Sequence, residues 1–242
     1  MIGDVSAVVW KEAHELLAGA GRGKYAPLIL LAIYGVFIPL QAGKKWVDSY
    51  EVIVLGLIIS VFLVLSIVAD TFAGERERHT LETLLASRLS DRAILIGKMT
   101  TVVIYAWGLT IASLLIGLIA VNVTAGGGKL LIYPANRAIA AVVISLLMAI
   151  LASGIGVLVS LRASTVRQAQ QQLTIGWVAI TFALAFGFKG LSPQSRTHLL
   201  HWFNSLSLVR ITVGTVVILI LVDLLVLAID AAKFQRDRLI LD

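Results

Sequence analysis

The sequence predicts an all-α integral membrane protein with six transmembrane helices, and three observations carry that prediction. Hydrophobic residues make up 59% of the chain's 242 residues and charged ones 14%. The mean hydropathy is +0.95, far above a soluble domain, where about half of the residues are apolar. The apolar residues fall into six runs, each close to the ~20 residues that a helix needs to cross a hydrocarbon core. Lys and Arg gather beside these runs, so the net charge of +6 reads as topology control at a membrane and not as nucleic-acid binding. Cysteine is absent, which excludes disulfides, thiolate catalysis and Cys-ligated metals.

Residues 1–24 precede the first run. Acidic residues and the lack of an apolar core segment argue against a signal peptide. Val5, Val8, Val9, Ala13, Leu16 and Leu17 recur at helical steps, with Lys11, Glu12, His14 and Glu15 elsewhere on the wheel. This amphipathic helix is expected to lie along the inner membrane surface with Trp10 near the headgroups; packing on a soluble partner is the alternative.

The spans follow at 25–43, 50–73, 99–122, 138–161, 172–189 and 207–230. The first reads YAPLILLAIYGVFIPLQAG without a charge, and the second runs uncharged to Asp70. Behind the third, NVTAGGG reads as loop by its glycines. Ala152, Gly156 and Ser160 in the fourth are spaced for close helix contact. Before the sixth, Ser192 and Pro193 are a helix start, and Leu199, Leu200, Trp202 and Phe203 suit a short outer helix that dips into the membrane. With both termini inside, thirteen of the 20 Lys and Arg residues fall on the inner pieces and seven on the outer ones, which favours a multi-pass protein of the cell membrane with cytoplasmic ends.

The charges are concentrated in GERERHTLETLLASRLSDRAILIGK, between the second and third spans. Thr80 is a candidate cap for a short helix, LETLLAS, whose Leu81, Leu84 and Leu85 share one face and leave Glu82 and Arg88 off it. A helix this short needs something to dock against. Lipid under the three leucines is one reading. A soluble partner is the other, favoured by the mixed-sign ERER run. Ser90-Asp91 is a good cap for the third span.

At these residues the chain resembles the permeases of the ABC-2 type, the membrane subunits of ATP-driven exporters. Glu75-Arg76-Glu77, Thr80-Leu81-Glu82, Leu84-Leu85 and Gly97-Lys98 match the segment that follows the second span there; His79 stands where a glycine is usual, and a common proline is missing near Arg88. With the six spans, the amphipathic first helix and the outer helix, the resemblance covers almost the whole chain, as a single ABC-2-type transmembrane domain over 1–242. It implies that Glu75, Arg76, Glu77, Thr80, Leu81, Glu82, Leu84 and Leu85 form a cytoplasmic coupling helix seated in an ATP-binding subunit. It also implies a second permease copy, identical or related, with the pathway between the two. The chain would then be no enzyme and hold no cofactor, ATP and Mg residing on the partner. Consistently, Gly97-Lys98 lacks the rest of a phosphate-binding loop.

Other constellations are weaker. HELLA at His14–Ala18 lacks the second histidine of a zinc-protease helix, and His198 and His201 have no carboxylate nearby in sequence, so no metal site is expected. Asn122-Val123-Thr124 fits a glycosylation sequon, a chance match unless the source glycosylates. Asp223 is a carboxylate inside a span, expensive there and suited to lining the pathway or to bonding a neighbouring helix. It also supports an alternative class, an ion- or proton-coupled secondary transporter. An intramembrane enzyme built on Asp70 and Asp223 ranks last. Nothing in the spans selects a substrate.

Overall fold

A computed structural model describes residues 2–18, 25–198 and 207–234, and among these residues every regular element is helical. Helix α1 is Ile2–Ala18; Ala26–Ala32 (α2), a π-helical turn at Ile33–Phe37 and Ile38–Ala42 (α3) follow one another without a break, and Lys45–Asp48 (α4) is a single turn. Then come α5 (Glu51–Val68), α6 (Ala73–Glu77), α7 (Leu81–Leu85), α8 (Asp91–Ala125), α9 (Ala135–Ser160) and α10 (Val166–Gly190). A helical segment at 193–198 (α11) and α12 (Leu208–Lys233) complete the order. The Leu199–Phe203 part of the expected outer helix, residues 19–24 and the C-terminal tail lie outside the described residues.

Among the described residues, five helices are long and apolar enough to cross a membrane: those of the second to sixth expected spans. The first apolar stretch is shorter, Pro27–Ala42, about 24 Å of helix against a hydrocarbon core of ~30 Å. Its π turn has a local cause. Pro39 offers no N–H and its ring crowds the carbonyl one turn back; the turn just before it widens, with the Ile38 N–H reaching back to the Ile33 carbonyl.

Contacts sort the connections onto two ends. At one end lie α1, α6, α7 and the α9–α10 corner. At the other, the Trp46 indole N–H donates to the Tyr133 hydroxyl at 2.6 Å, that hydroxyl donates to the Leu114 carbonyl at 3.0 Å, and Arg137 donates to the Asp48 carbonyl and covers the Tyr50 ring. Burial pushes the Tyr133 phenol up to about 12, the Trp46 hydrogen bond opposing it.

The core is built on α5 and α9, the most closely packed pair. Gly156 meets the methyls of Val68 so tightly that a Cβ there would collide with them, and Ser60 donates to the Ser145 carbonyl at 2.8 Å. Helix α8 packs on both. Helices α10 and α12 lie outside, with Ile175, Phe182, Leu184, Leu221 and Leu224 exposed, a surface that suits acyl chains or another apolar helix.

Several expected boundaries change. Helix α8 begins at Asp91, with Ser90 accepting from Ala93 N as foreseen, eight residues before the expected third span. It also runs to Ala125, so the Asn122–Ala125 part of NVTAGGG is helix and not loop. Asn122 explains it: its amide donates to the Leu131 carbonyl at 2.9 Å and accepts from Leu131 N at 2.8 Å, tying the following loop to the helix side. Helix α10 starts six residues before the expected fifth span, capped by Thr165 accepting from Gln168 N. Part of the apolar face of α1 rests on α8: Val8 is buried, and a Cβ on Gly97 would lie 2.6 Å from Val8 Cγ1. Trp10, stacked on His14 at 5.6 Å, points away from the protein, 72% exposed.

Candidate functional site

The charged stretch folds into a corner at the α1 end. Helix α5 stops at Val68, and α6 restarts after a turn that holds Phe72 and the half-exposed Asp70–Arg78 ion pair (3.2 Å). The three residues Glu75-Arg76-Glu77 then reach four different helices. Glu75, buried, meets Lys98 of α8 at 3.2 Å and Lys11 of α1 at 3.0 Å. Arg76 donates to the carbonyls of Ala163 at 2.7 Å and Leu161 at 3.0 Å, beyond the last turn of α9, where unpaired carbonyls and the helix dipole favour a cation. Glu77 accepts from Val166 N at 3.0 Å, at the first turn of α10, where the dipole favours an anion.

Lys98 is the hub of the buried charge. Its side chain is 1% exposed, an ammonium that burial would penalise heavily without partners. Glu12 answers it at 2.7 Å and Glu75 at 3.2 Å, and the Phe72 ring lies 5.5 Å away on a further side. Burial alone pushes the Lys11 ammonium down, but Glu12, Glu75 and Glu15 overcome it and hold it well above the ordinary lysine range. The carboxylates of Glu12, Glu15 and Glu75 lie close enough to share a metal ion. Lys11 already contacts all three and Lys98 two of them, so ammonium groups fill the role of the cation.

Thr80 does not cap α7. Its backbone is helical and its side chain caps nothing; the hydroxyl donates instead to the Glu75 carboxylate, while Thr80 N donates to the Glu75 carbonyl at 2.9 Å. The chain turns into α7 through His79 at φ 57°, a left-handed conformation in which glycine carries no steric cost. The leucine face also turns out differently from the expectation. Leu81 is buried in the protein's own core, and Leu84 is half-buried against the same cluster. The side chain of Leu85 is outside the described residues. What α7 and its approach expose is Glu77, Arg78, His79, Glu82, Thr83 and Arg88. Leu81 and Leu84 therefore anchor the short helix on the core, and a polar surface faces outward.

A buried charge hub thus underlies a five-residue helix with a polar outer surface, at one end of a bundle of membrane-length helices. A family model described as ABC-2 type transporter matches residues 4–221. The chain belongs to the ABC-2 type transporter family. Comparison with curated proteins gives no match. As an ABC-2 transporter membrane domain it is a multi-pass membrane protein, and this family works with ABC ATP-binding subunits.

In this ABC-2 chain, Asp223 stands apart from the charged corner. It lies on α12, buried, two turns before the equally buried Asp230, and neither carboxylate has a hydrogen-bond partner among the described residues. Asp230 Oδ2 faces Gly154 of α9, 3.0 Å from where a Cβ would stand. Sequence reasoning singled out Glu75 to Leu85 but missed Lys98 as a buried cation, Glu12 as its counter-ion, and the α9–α10 corner as the ligand of Arg76 and Glu77. A lysine heading an apolar run was the visible signal for the first. For the others no local signal exists, since the partners are 85 to 89 residues away.

Proposed function

We propose that the chain is the permease subunit of an ATP-driven exporter, with six membrane crossings, cytoplasmic termini and no catalysis of its own. The separate ATP-binding subunit, carrying ATP and Mg, docks on α7 and its approach, and a second permease copy completes the pathway. The observation that carries the reading is α7 itself: a five-residue helix too short to persist alone, pinned from beneath by Leu81 and from the side by Glu75, with Glu82 and Thr83 left facing outward. Nucleotide-driven displacement of the partner would push on this surface and shift the permease between inward- and outward-open arrangements.

The test replaces only outward residues. Glu82→Arg with Thr83→Arg leaves the buried leucines in place, so the protein inserts and stays folded, while two cations are forced into the docking surface. Charge mismatch at an interface costs several kcal/mol, and each 1.4 kcal/mol is about tenfold in affinity. Co-purification of the ATP-binding subunit should therefore fall at least tenfold and transport should stop. Undiminished co-purification by the doubly substituted permease would overturn the assignment of α7 as the docking element.

A further inference from the structure

The joint between α5 and α6 is fastened to a helix that is not its neighbour in sequence. Ser160, fully buried at the end of α9, accepts from Ala73 N at 2.9 Å and from Phe72 N at 3.2 Å and donates to the Ala69 carbonyl at 3.0 Å. One hydroxyl thus satisfies the backbone groups left open on both sides of the helix break. One turn earlier, Gly156 brings α9 against Val68. One turn later, Arg76 grips the carbonyls of Leu161 and Ala163, and Glu77 holds Val166 N. Four successive attachments, all from residues 68–77 onto residues 156–166, join the segment to the α9–α10 corner. Its link to α1 and α8 has a different nature, ion pairs centred on Glu75, Lys98 and Lys11.

We propose that Arg76 and Ser160 are positioning residues that make the α9–α10 corner follow any displacement of α6 and α7, on a branch separable from the Glu75 branch to α1 and α8. This inference deepens the proposed function by naming the route that motion takes from the docking surface into the membrane. Backbone-directed hydrogen bonds at both helix ends are geometrically exacting, so a displaced α6 carries the corner with it. The ion-pair branch has more compliance, because Lys98 and Lys11 share several carboxylates and exchange among them without losing a partner.

The absence of native cysteine makes the test direct. Spin labels are placed on exposed positions in the purified permease in lipid nanodiscs, as Glu82→Cys with Arg162→Cys for the corner branch and Glu82→Cys with Ala7→Cys for the α1 branch. Arg76→Gln and Ser160→Ala should each broaden the 82–162 distance distribution and leave the 82–7 distribution unchanged; Glu75→Gln should do the reverse. Arg76→Lys keeps the charge but cannot reach both carbonyls, and should give an intermediate 82–162 width. If either Arg76→Gln or Ser160→Ala leaves the 82–162 width unchanged, or if both pairs broaden together in Arg76→Lys, the separate branch does not exist. The measurement needs no ATP-binding subunit, so its outcome is independent of the proposed docking. In the complete transporter, with transport and ATP hydrolysis measured on the same preparation, Arg76→Lys should lower transport per ATP several-fold; unchanged transport per ATP would overturn the role in coupling.

Discussion

Lys98 sets the terms at the residue scale. Two buried or nearly buried carboxylates, Glu12 and Glu75, face it, and Lys11 completes the balance at the edge. Removing one partner from such a group is costlier than removing a matched pair, since it strands a charge. Lys98→Met leaves Glu12 and Glu75 with Lys11 alone and should destabilise the protein by about 3–5 kcal/mol, read as a lowered melting temperature in detergent. Adding Glu75→Gln removes the most buried of the carboxylates left in excess, with Glu12 and the exposed Glu15 still on Lys11, and should recover part of the loss. A double variant that melts below Lys98→Met would show that the carboxylate contributes through something other than this pairing. His79 belongs to the same scale: its left-handed backbone accounts for the glycine usual at that position in the resembling permeases.

Packing between elements rests on a few small residues. Gly156 lets α9 approach Val68, and any larger side chain must push the two helices apart. Gly156→Leu should cost at least the 1–3 kcal/mol of ordinary overpacking and loosen the Ser160 attachment one turn on, measurable as faster protease cleavage near residues 69–78. Gly108 of α8 has no atom within 4 Å of an added Cβ, so Gly108→Ala should be tolerated or gain up to about 0.5–1 kcal/mol in helix preference. Equal effects of the two substitutions would refute close packing at Gly156. At this scale the sequence was informative where periodicity spoke. The five membrane-length helices, the Ser90 cap and the small-residue stripe of α9 were all legible. It was silent on which way the α7 leucines face, because Leu81 and Leu84 are equally apolar toward a partner or a core, and only the position of α6 over α8 and α9 decides it. The start of α8 at the Ser90 cap was legible as well; its far end was not, since the asparagine and glycines of NVTAGGG read as loop although the helix continues to Ala125.

For the whole molecule, the two ends of the bundle make a simple topological forecast. Ser87 and Arg162 belong to the α1 end and Gly127 to the other. With cytoplasmic termini, a membrane-impermeant maleimide should label Gly127→Cys in intact cells, and Ser87→Cys and Arg162→Cys only after permeabilisation. Labelling of Arg162→Cys in intact cells would invert the orientation or break the six-crossing count. The attachments of Arg76 and Glu77 also put a clock on biogenesis. Their ligands at Leu161, Ala163 and Val166 are translated 85 to 89 residues later, a wait of roughly 4–18 s at ordinary elongation rates of ~5–20 residues per second. Until then Glu75 can already find Lys98, but the guanidinium and the second carboxylate hang without partners beside the nascent membrane domain. The proposed docking surface is therefore finished only when α9 has been inserted, so a ribosome that stalls before residue 161 leaves a membrane-embedded fragment in which the surface proposed for the ATP-binding subunit is still incomplete.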